Sequence, residues 1–205
     1  MGRIDSVQYY DHNAERFHLR RATFLRPESL APFLAEVAKG GLILDWGCGS
    51  GIDLSYIIEA GFSAVGVEAS PAMAALANQN AQSAQVVQKN GLFYSPKPNE
   101  FDGIWINESL NHFPAEQAQR VIAECFKAIK PNGVLGLVVK SGEGFYEDRE
   151  DDLMGPSRMI YLYGEKQLCS MIEQTGFTID RIGKRKDQPD LMMFIARASA
   201  KGTGL

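Results

Sequence analysis

Short apolar runs alternate with helical periodicities along most of this chain. Leu30, Phe33, Leu34 and Val37 recur at helical spacing after Pro27-Glu28-Ser29, and Gly40-Gly41 ends that predicted helix. Leu42-Ile43-Leu44 follows as a buried strand. A Gly-rich turn leads into a helix over 52–60, then a second strand over Phe62–Glu68 with Val65-Gly66-Val67 as its apolar centre. Ser70-Pro71 supplies an N-cap and a first-turn proline for an Ala-rich helix reaching about Gln82. Val86-Val87 marks a short third strand and Phe101–Ile106 a fourth. Between Pro114 and Ile129 the positions Ala118, Val121, Ile122, Cys125, Phe126 and Ile129 form one apolar face, so an amphipathic helix is expected. Pro131-Asn132-Gly133 reads as a tight turn before a fifth strand over Val134–Val139. The polar, acidic stretch from Ser141 to about Ser157 reads as an inserted loop. A helix over Glu165–Gln174 and two final strands, Phe177–Ile182 and Leu191–Arg197, complete the pattern. The alternation predicts a mostly parallel seven-stranded α/β sheet with helices on both faces and an antiparallel hairpin at one edge.

Composition narrows the classes. With 205 residues, one domain is expected. A net charge of −4 disfavours a dedicated nucleic-acid binder, which shows a basic face. Cys48, Cys125 and Cys169 lack CxxC spacing, so they support neither a zinc knuckle nor a redox motif, and their sparse, odd number fits a reducing compartment. The N-terminus lacks the apolar core of a signal peptide, and no apolar run approaches the ~18 residues of a membrane span. A cytoplasmic protein, with no membrane contact and no metal site, is the expectation.

The candidate chemistry begins at Asp45-Trp46-Gly47-Cys48-Gly49-Ser50-Gly51, where the first strand passes into a helix. Ligands of parallel sheets bind at such carboxyl ends, and glycines let them approach the backbone. Taken alone, the turn suits a structural role or a nucleotide site equally. A dinucleotide motif, G-x-G-x-x-G, would place its third glycine where Ile52 stands. Asp45 would repel a pyrophosphate but suits the ammonium and sulfonium of S-adenosylmethionine (SAM). Glu68, 17 residues after Gly51 at the end of the second strand, can accept hydrogen bonds from both ribose hydroxyls.

These segments carry a family resemblance. Leu42 to Leu54 (LILDWGCGSGIDL) resembles motif I of class I SAM-dependent methyltransferases, and Val65 to Ala77 (VGVEASPAMAALA) resembles the segment that follows it. Phe101 to Phe113 resembles the fourth-strand motif of a small bacterial group related to ubiquinone-biosynthesis methyltransferases, and Pro131 to Lys140 the fifth-strand motif. The likeness spans about residues 40–198. It implies a Rossmann-like fold in which Asp45, Gly47, Cys48, Gly49 and Gly51 hold the methionine part of SAM, Glu68 the ribose, and Ala69 and Met73 the adenine. Asn107 and Glu108 would line the sulfonium region. Many relatives place Asp after the third strand; here Lys89-Asn90-Gly91 stands, with the Asn90 amide oxygen as the substitute acceptor.

The acceptor side is less defined. Tyr9-Tyr10-Asp11-His12-Asn13-Ala14 resembles the group's N-terminal lid, where Tyr side chains close over SAM; a plain packing helix is the other reading. Arg16, Arg20, Arg21 and Arg26 form either a solvated face or an anion site. His112 and Glu143 are the candidate bases. The run Lys140-Ser141-Gly142-Glu143-Gly144 resembles one in a related methyltransferase group, and Glu143, Tyr146, Arg158, Tyr161 and Tyr163, with Tyr9, Asn13 and His112, are candidate acceptor contacts for an amine or aromatic substrate. The resemblance implies a lid over 1–40, a SAM-binding domain over 41–198 and a tail over 199–205. A monomer or homodimer is expected to transfer a methyl group from SAM to N, O or S of a small molecule, releasing S-adenosylhomocysteine. SAM-dependent cyclisation, a non-catalytic SAM binder and an NAD-dependent oxidoreductase are the competing readings.

Overall fold

The structure, a computed structural model, describes residues 6–23, 30–149, 156–184 and 188–199. Its main sheet contains seven strands in the spatial order β3-β2-β1-β4-β5-β9-β8. These are β1 (Leu42–Trp46), β2 (Ser63–Glu68), β3 (Gln85–Gln88), β4 (Phe101–Asn107), β5 (Ile129–Lys140), β8 (Phe177–Lys184) and β9 (Leu191–Ala198). The first five run parallel, whereas β9 lies antiparallel between β5 and β8. The expected sheet and its edge hairpin are therefore present. After β1 the chain builds outward to β3, then returns to place β4 on the other flank of β1. That reversal opens a crevice at the carboxyl ends of β1 and β4, where ligands of such sheets bind.

Alternation along the buried strands feeds two cores. Leu44, Ile104, Ile106 and Leu137 point to one face, covered by α5 (Ala115–Ala128) and α6 (Glu165–Thr175). Ile43, Trp105 and Val138 point to the other, where α2 (Ala31–Leu34), α3 (Ile52–Glu59) and α4 (Pro71–Asn80) lie. The predicted cap is made: Ser70 Oγ accepts the Met73 N–H at 3.2 Å. The helix α1 (Ser6–Thr23) packs on α4 and on the hairpin strand β7 (Arg158–Tyr161).

Three local expectations are corrected. The helix predicted after Pro27 is α-helical only over Ala31–Leu34 and continues as turns; Leu30, Phe33 and Val37 are still buried, so the apolar spacing reported burial rather than helix length. Pro27, Glu28 and Ser29 lie outside the described residues. The Pro131-Gly133 turn is absorbed into β5, with Asn132 in the left-handed region (φ 63°) and a register shift against β4 between Phe101 and Gly103. The supposed loop after β5 contains β6 (Phe145–Asp148), which pairs antiparallel with β7. β6 is largely exposed, so its sequence lacks the apolar face by which a strand is normally read.

Gly51, the residue before α3, has φ 80°, and a Cβ there would meet Ala77 Cα of α4 at 2.8 Å. Gly61, with φ 89°, has nothing within 4 Å of the same position. Gly61→Ala should cost about 1–2 kcal/mol through backbone strain alone. Gly51→Ala should cost about 1–3 kcal/mol more, because the α3–α4 contact must open. Urea unfolding of the two variants measures this, and equal losses would refute the packing argument.

Candidate active site

At the carboxyl end of β1 the chain passes through three left-handed glycines, Gly47 (φ 84°), Gly49 (φ 55°) and Gly51. Gly47 and Cys48 donate their N–H groups to Val67 O at 2.8 and 3.0 Å, anchoring the turn to β2. The Glu68 carboxylate then joins two segments. Its Oε2 accepts from Gly49 N at 2.9 Å and its Oε1 from Ser70 N at 2.8 Å. A side chain on Gly47 would strike Ser109 Cβ at 2.4 Å, and Ser109 Oγ itself donates to Trp46 O at 2.6 Å. A Cβ on Gly49 would meet no atom within 4 Å, so this turn is open on the cavity side.

The floor of the site is acidic. Asp45 is 1% exposed, and burial, with the Asp53 and Glu68 charges, holds its carboxyl well above the usual carboxylate range. Burial also raises Glu68, partly offset by the backbone N–H groups it accepts. Asp53 Oδ2 accepts from Trp105 Nε1 and Asn107 Nδ2, both at 2.8 Å. Asp45 Oδ2 and Asn107 Oδ1 are buried without a hydrogen-bond partner. Two such acceptors in the lining of one cavity are costly unless a ligand supplies donors.

Helix α1 closes over this floor and is tied along its length. Asp11 Oδ1 accepts from Ser70 Oγ at 2.5 Å and Ala72 N at 3.0 Å, at the start of α4. His18 Nδ1 lies 3.0 Å from Ser50 Oγ, and Arg21 pairs with Glu108 at 3.1 Å. Tyr10 meets the far side: its hydroxyl accepts from Arg158 Nη1 at 2.5 Å and lies 2.9 Å from His112 Nε2. Arg158 is held in turn by Asp148, whose Oδ2 accepts from Nε at 3.0 Å and Nη2 at 2.8 Å, and its guanidinium stacks 4.6 Å from the Tyr9 ring. Burial pushes Tyr10 up to about 12. Burial and the Arg158 charge pull His112 down to about 4. Both groups are neutral near pH 7, so the Tyr10 O–H donates to an unprotonated His112 Nε2.

The cavity measures about 1240 Å³. From the predicted cofactor set, Asp45, Gly47, Cys48 and Gly49 line it beside Glu68, Ala69 and Met73; Asn90 and Gly91 lie on the same wall, as do Asn107, Glu108 and Tyr10. Gly51 does not reach the wall because it packs against Ala77. The Asn90 amide oxygen already accepts from Leu92 N at 2.9 Å, capping the turn after β3. On the acceptor side His112, Tyr146, Arg158 and Tyr161 line the cavity. Four other candidates stand off it. Tyr9 is buried under Arg158, Asn13 donates back to Tyr9 O at 2.9 Å, Tyr163 is buried and donates to Phe113 O, and Glu143 is exposed on its loop. Of the Arg cluster, Arg20 and Arg21 line the cavity and Arg26 lies outside the described residues. Asp53, Ser109, Asp11, His18 and Asp148 were missed. Asp53 was within reach of the sequence, being an acid in the first turn after the Gly motif; the others act through contacts distant along the chain.

Comparison with known proteins agrees with this geometry. Residues 43–133 match the family model of a methyltransferase domain. An uncharacterized methyltransferase of Synechocystis is 27% identical over 184 residues, covering 82% of this chain and 76% of that one. A SAM-dependent methyltransferase structure from Methanosarcina mazei superposes with a TM-score of 0.74 at 21% identity, covering 86% of this chain and 99% of that one. The Burkholderia thailandensis 1,6-didemethyltoxoflavin-N1-methyltransferase, solved with 1,6-didemethyltoxoflavin and S-adenosylhomocysteine bound, superposes with a TM-score of 0.72 at 21% identity over 93% of this chain and 84% of that one.

His112 yields a pH test. Its folded pKa of about 4 lies below the ~6.5 of an unfolded histidine, so its contribution to stability is complete above about pH 6.5 and is lost as pH falls toward 4. The raised carboxyls of Asp45 and Glu68 act with the opposite sign, and they cancel when two variants are compared. The unfolding free energy of the wild type minus that of His112→Gln should fall by about 3 kcal/mol between pH 7 and pH 4. A difference that stays flat with pH would show that His112 titrates normally.

Proposed function

We propose that the chain is a class I SAM-dependent methyltransferase that takes SAM as its cofactor and methylates an N, O or S nucleophile of a small-molecule acceptor by direct SN2 displacement. The methyltransferase-domain match over residues 43–133 and the similar methyltransferase of Synechocystis support this. The cavity carries this reading. At about 1240 Å³ it exceeds the roughly 300–1000 Å³ of sites for one drug-sized ligand, and α1 covers it. It suits a cofactor and a small acceptor together better than a nucleic acid or a protein surface.

The residues present fit SAM. The unpartnered Asp45 Oδ2 and Asn107 Oδ1 await donors, as an ammonium would supply. The acids Asp45, Asp53 and Glu68 suit a ligand bearing two positive centres. Glu68 would accept the ribose hydroxyls with the lone pairs left by Gly49 and Ser70, and Ala69 and Met73 would flank the adenine. When bound, SAM supplies a methyl group already activated on a sulfonium. The chain's own work is then positioning and exclusion of water. Helix α1, held by Asp11, His18 and Arg21, closes the cofactor region. Tyr10, fixed by Arg158 and His112, closes the acceptor region. His112 holds protons weakly at a pKa near 4, and its Nε2 is engaged by Tyr10, so we assign it to positioning Tyr10 rather than to storing the acceptor's proton. Glu143 is exposed and takes no assigned part.

Asp45→Asn should separate binding from folding. Removing a buried carboxylate that lacks a partner should stabilise the ligand-free chain by about 1 kcal/mol. The same change should weaken S-adenosylhomocysteine binding by about 1.5–3 kcal/mol through loss of a charged hydrogen bond. Unfolding curves and isothermal titration measure the two, and unchanged affinity would remove Asp45 from the site. Gly49→Val, which fills the open side of the turn, should abolish binding while the sheet still folds. Turnover should release S-adenosylhomocysteine; methylthioadenosine would mark the cyclisation chemistry instead, and tight NADH binding without SAM binding would overturn the cofactor assignment.

A further inference from the structure

The wall across the cavity includes a lysine whose backbone is held at both polar groups. β5 ends at Lys140, and the buried amide of Asn111 clamps that end. Asn111 Oδ1 accepts from Lys140 N at 2.9 Å, while Nδ2 donates to Lys140 O at 3.3 Å and to Tyr161 O at 2.5 Å. One side chain thus locks the end of β5 to the hairpin strand β7. The Lys140 side chain lines the cavity, and its Nζ lies 3.4 Å from the Tyr146 hydroxyl. Among the described residues no carboxylate pairs with Lys140. Two other cations of the wall are already matched, Arg21 by Glu108 and Arg158 by Asp148.

The acids that an amine substrate would need are taken or displaced. Asp148 Oδ2 accepts two N–H groups from Arg158, and Glu143 stands off the wall. Asp190, which does line the cavity, is exposed and makes no ion pair with Lys140 among the described residues. An ammonium with a hydroxyl beside it, in a cavity that Tyr161 and Phe113 also line, suits a negatively charged oxygen group on a planar body.

We propose that the methyl acceptor carries an oxyanion, a carboxylate or a phosphate, which the clamped Lys140 and the Tyr146 hydroxyl bind. This rests on the reading of the cavity as the site of methyl transfer. The test uses the full chain saturated with S-adenosylhomocysteine, titrated calorimetrically with benzoate, phenyl phosphate, benzyl alcohol and benzylamine. One of the two anions should bind at least about tenfold tighter than the alcohol and the amine, and which anion it is tells carboxylate from phosphate. Lys140→Met should erase that preference with S-adenosylhomocysteine affinity unaltered, and Lys140→Arg should restore most of it. Equal or tighter binding of benzylamine or benzyl alcohol, no anion binding at millimolar concentration, or an unaltered preference in Lys140→Met would each overturn the proposal. Failure of the wild type to bind S-adenosylhomocysteine at all would overturn the underlying methyltransferase reading, and this one with it.

Discussion

The carboxylate of Glu68 is the point on which the site depends. It stands at the end of β2 and accepts one N–H from the Gly turn and one from the start of α4. Those segments leave different strands, the Gly turn following β1 and the start of α4 following β2. A buried carboxylate is costly unless it is satisfied, and these backbone donors satisfy it. Burial lifts its pKa while the N–H groups pull it back, so the same contacts that shape the turn keep Glu68 able to accept further donors. Ser70 extends the link: its N–H goes to Glu68 and its hydroxyl to Asp11 on the covering helix. The floor and the lid of the cavity are thereby connected through one residue.

The rest of the site shows how charge is distributed by burial. Acids accumulate around the Gly turn, and Asp45 Oδ2 is buried with no hydrogen-bond partner among the described residues. Across the cavity Asp148 and Arg158 match each other, and the aromatic rings of Tyr9, Tyr10 and Phe17 surround the guanidinium. A buried pair of this kind contributes little net stability, since desolvation offsets its attraction. What it provides is orientation: Arg158 fixes the Tyr10 hydroxyl, and His112, held neutral by burial, accepts the hydrogen bond that the Tyr10 O–H donates. The lid and the hairpin β6–β7 meet in this cluster, so the two ends of the cavity share one closing surface.

Much of the fold was legible because the physics involved is local. Apolar runs bounded by glycines mark buried parallel strands, and Ser70-Pro71 marks a helix start whatever surrounds it. The Gly turn and Glu68 were legible for the same reason, each being tied to a strand end. The hairpin β6–β7 was not, because an exposed strand pair carries no apolar alternation and is recognised only through its partner. Glu143 was a candidate from its position after β5, and position in the chain does not say which way a loop presents a side chain; here it is exposed and off the cavity lining. Tyr163 showed the converse, an aromatic near the site that the core absorbs.

The sequence by itself therefore determined the order of strands and helices, the Gly turn, and the acid at the end of β2, because each follows from periodicity or from backbone geometry within a few residues. Only the tertiary structure decided which charges are free and which are spent. Arg158 and Asp148 are ten residues apart, but Tyr10 and Arg158 are separated by 148 positions and Arg21 and Glu108 by 87. No local rule pairs groups over such distances. The pairing follows from packing α1 across the sheet's carboxyl edge, and that packing leaves Asp45 Oδ2 buried without a hydrogen-bond partner and Lys140 without a carboxylate among the described residues.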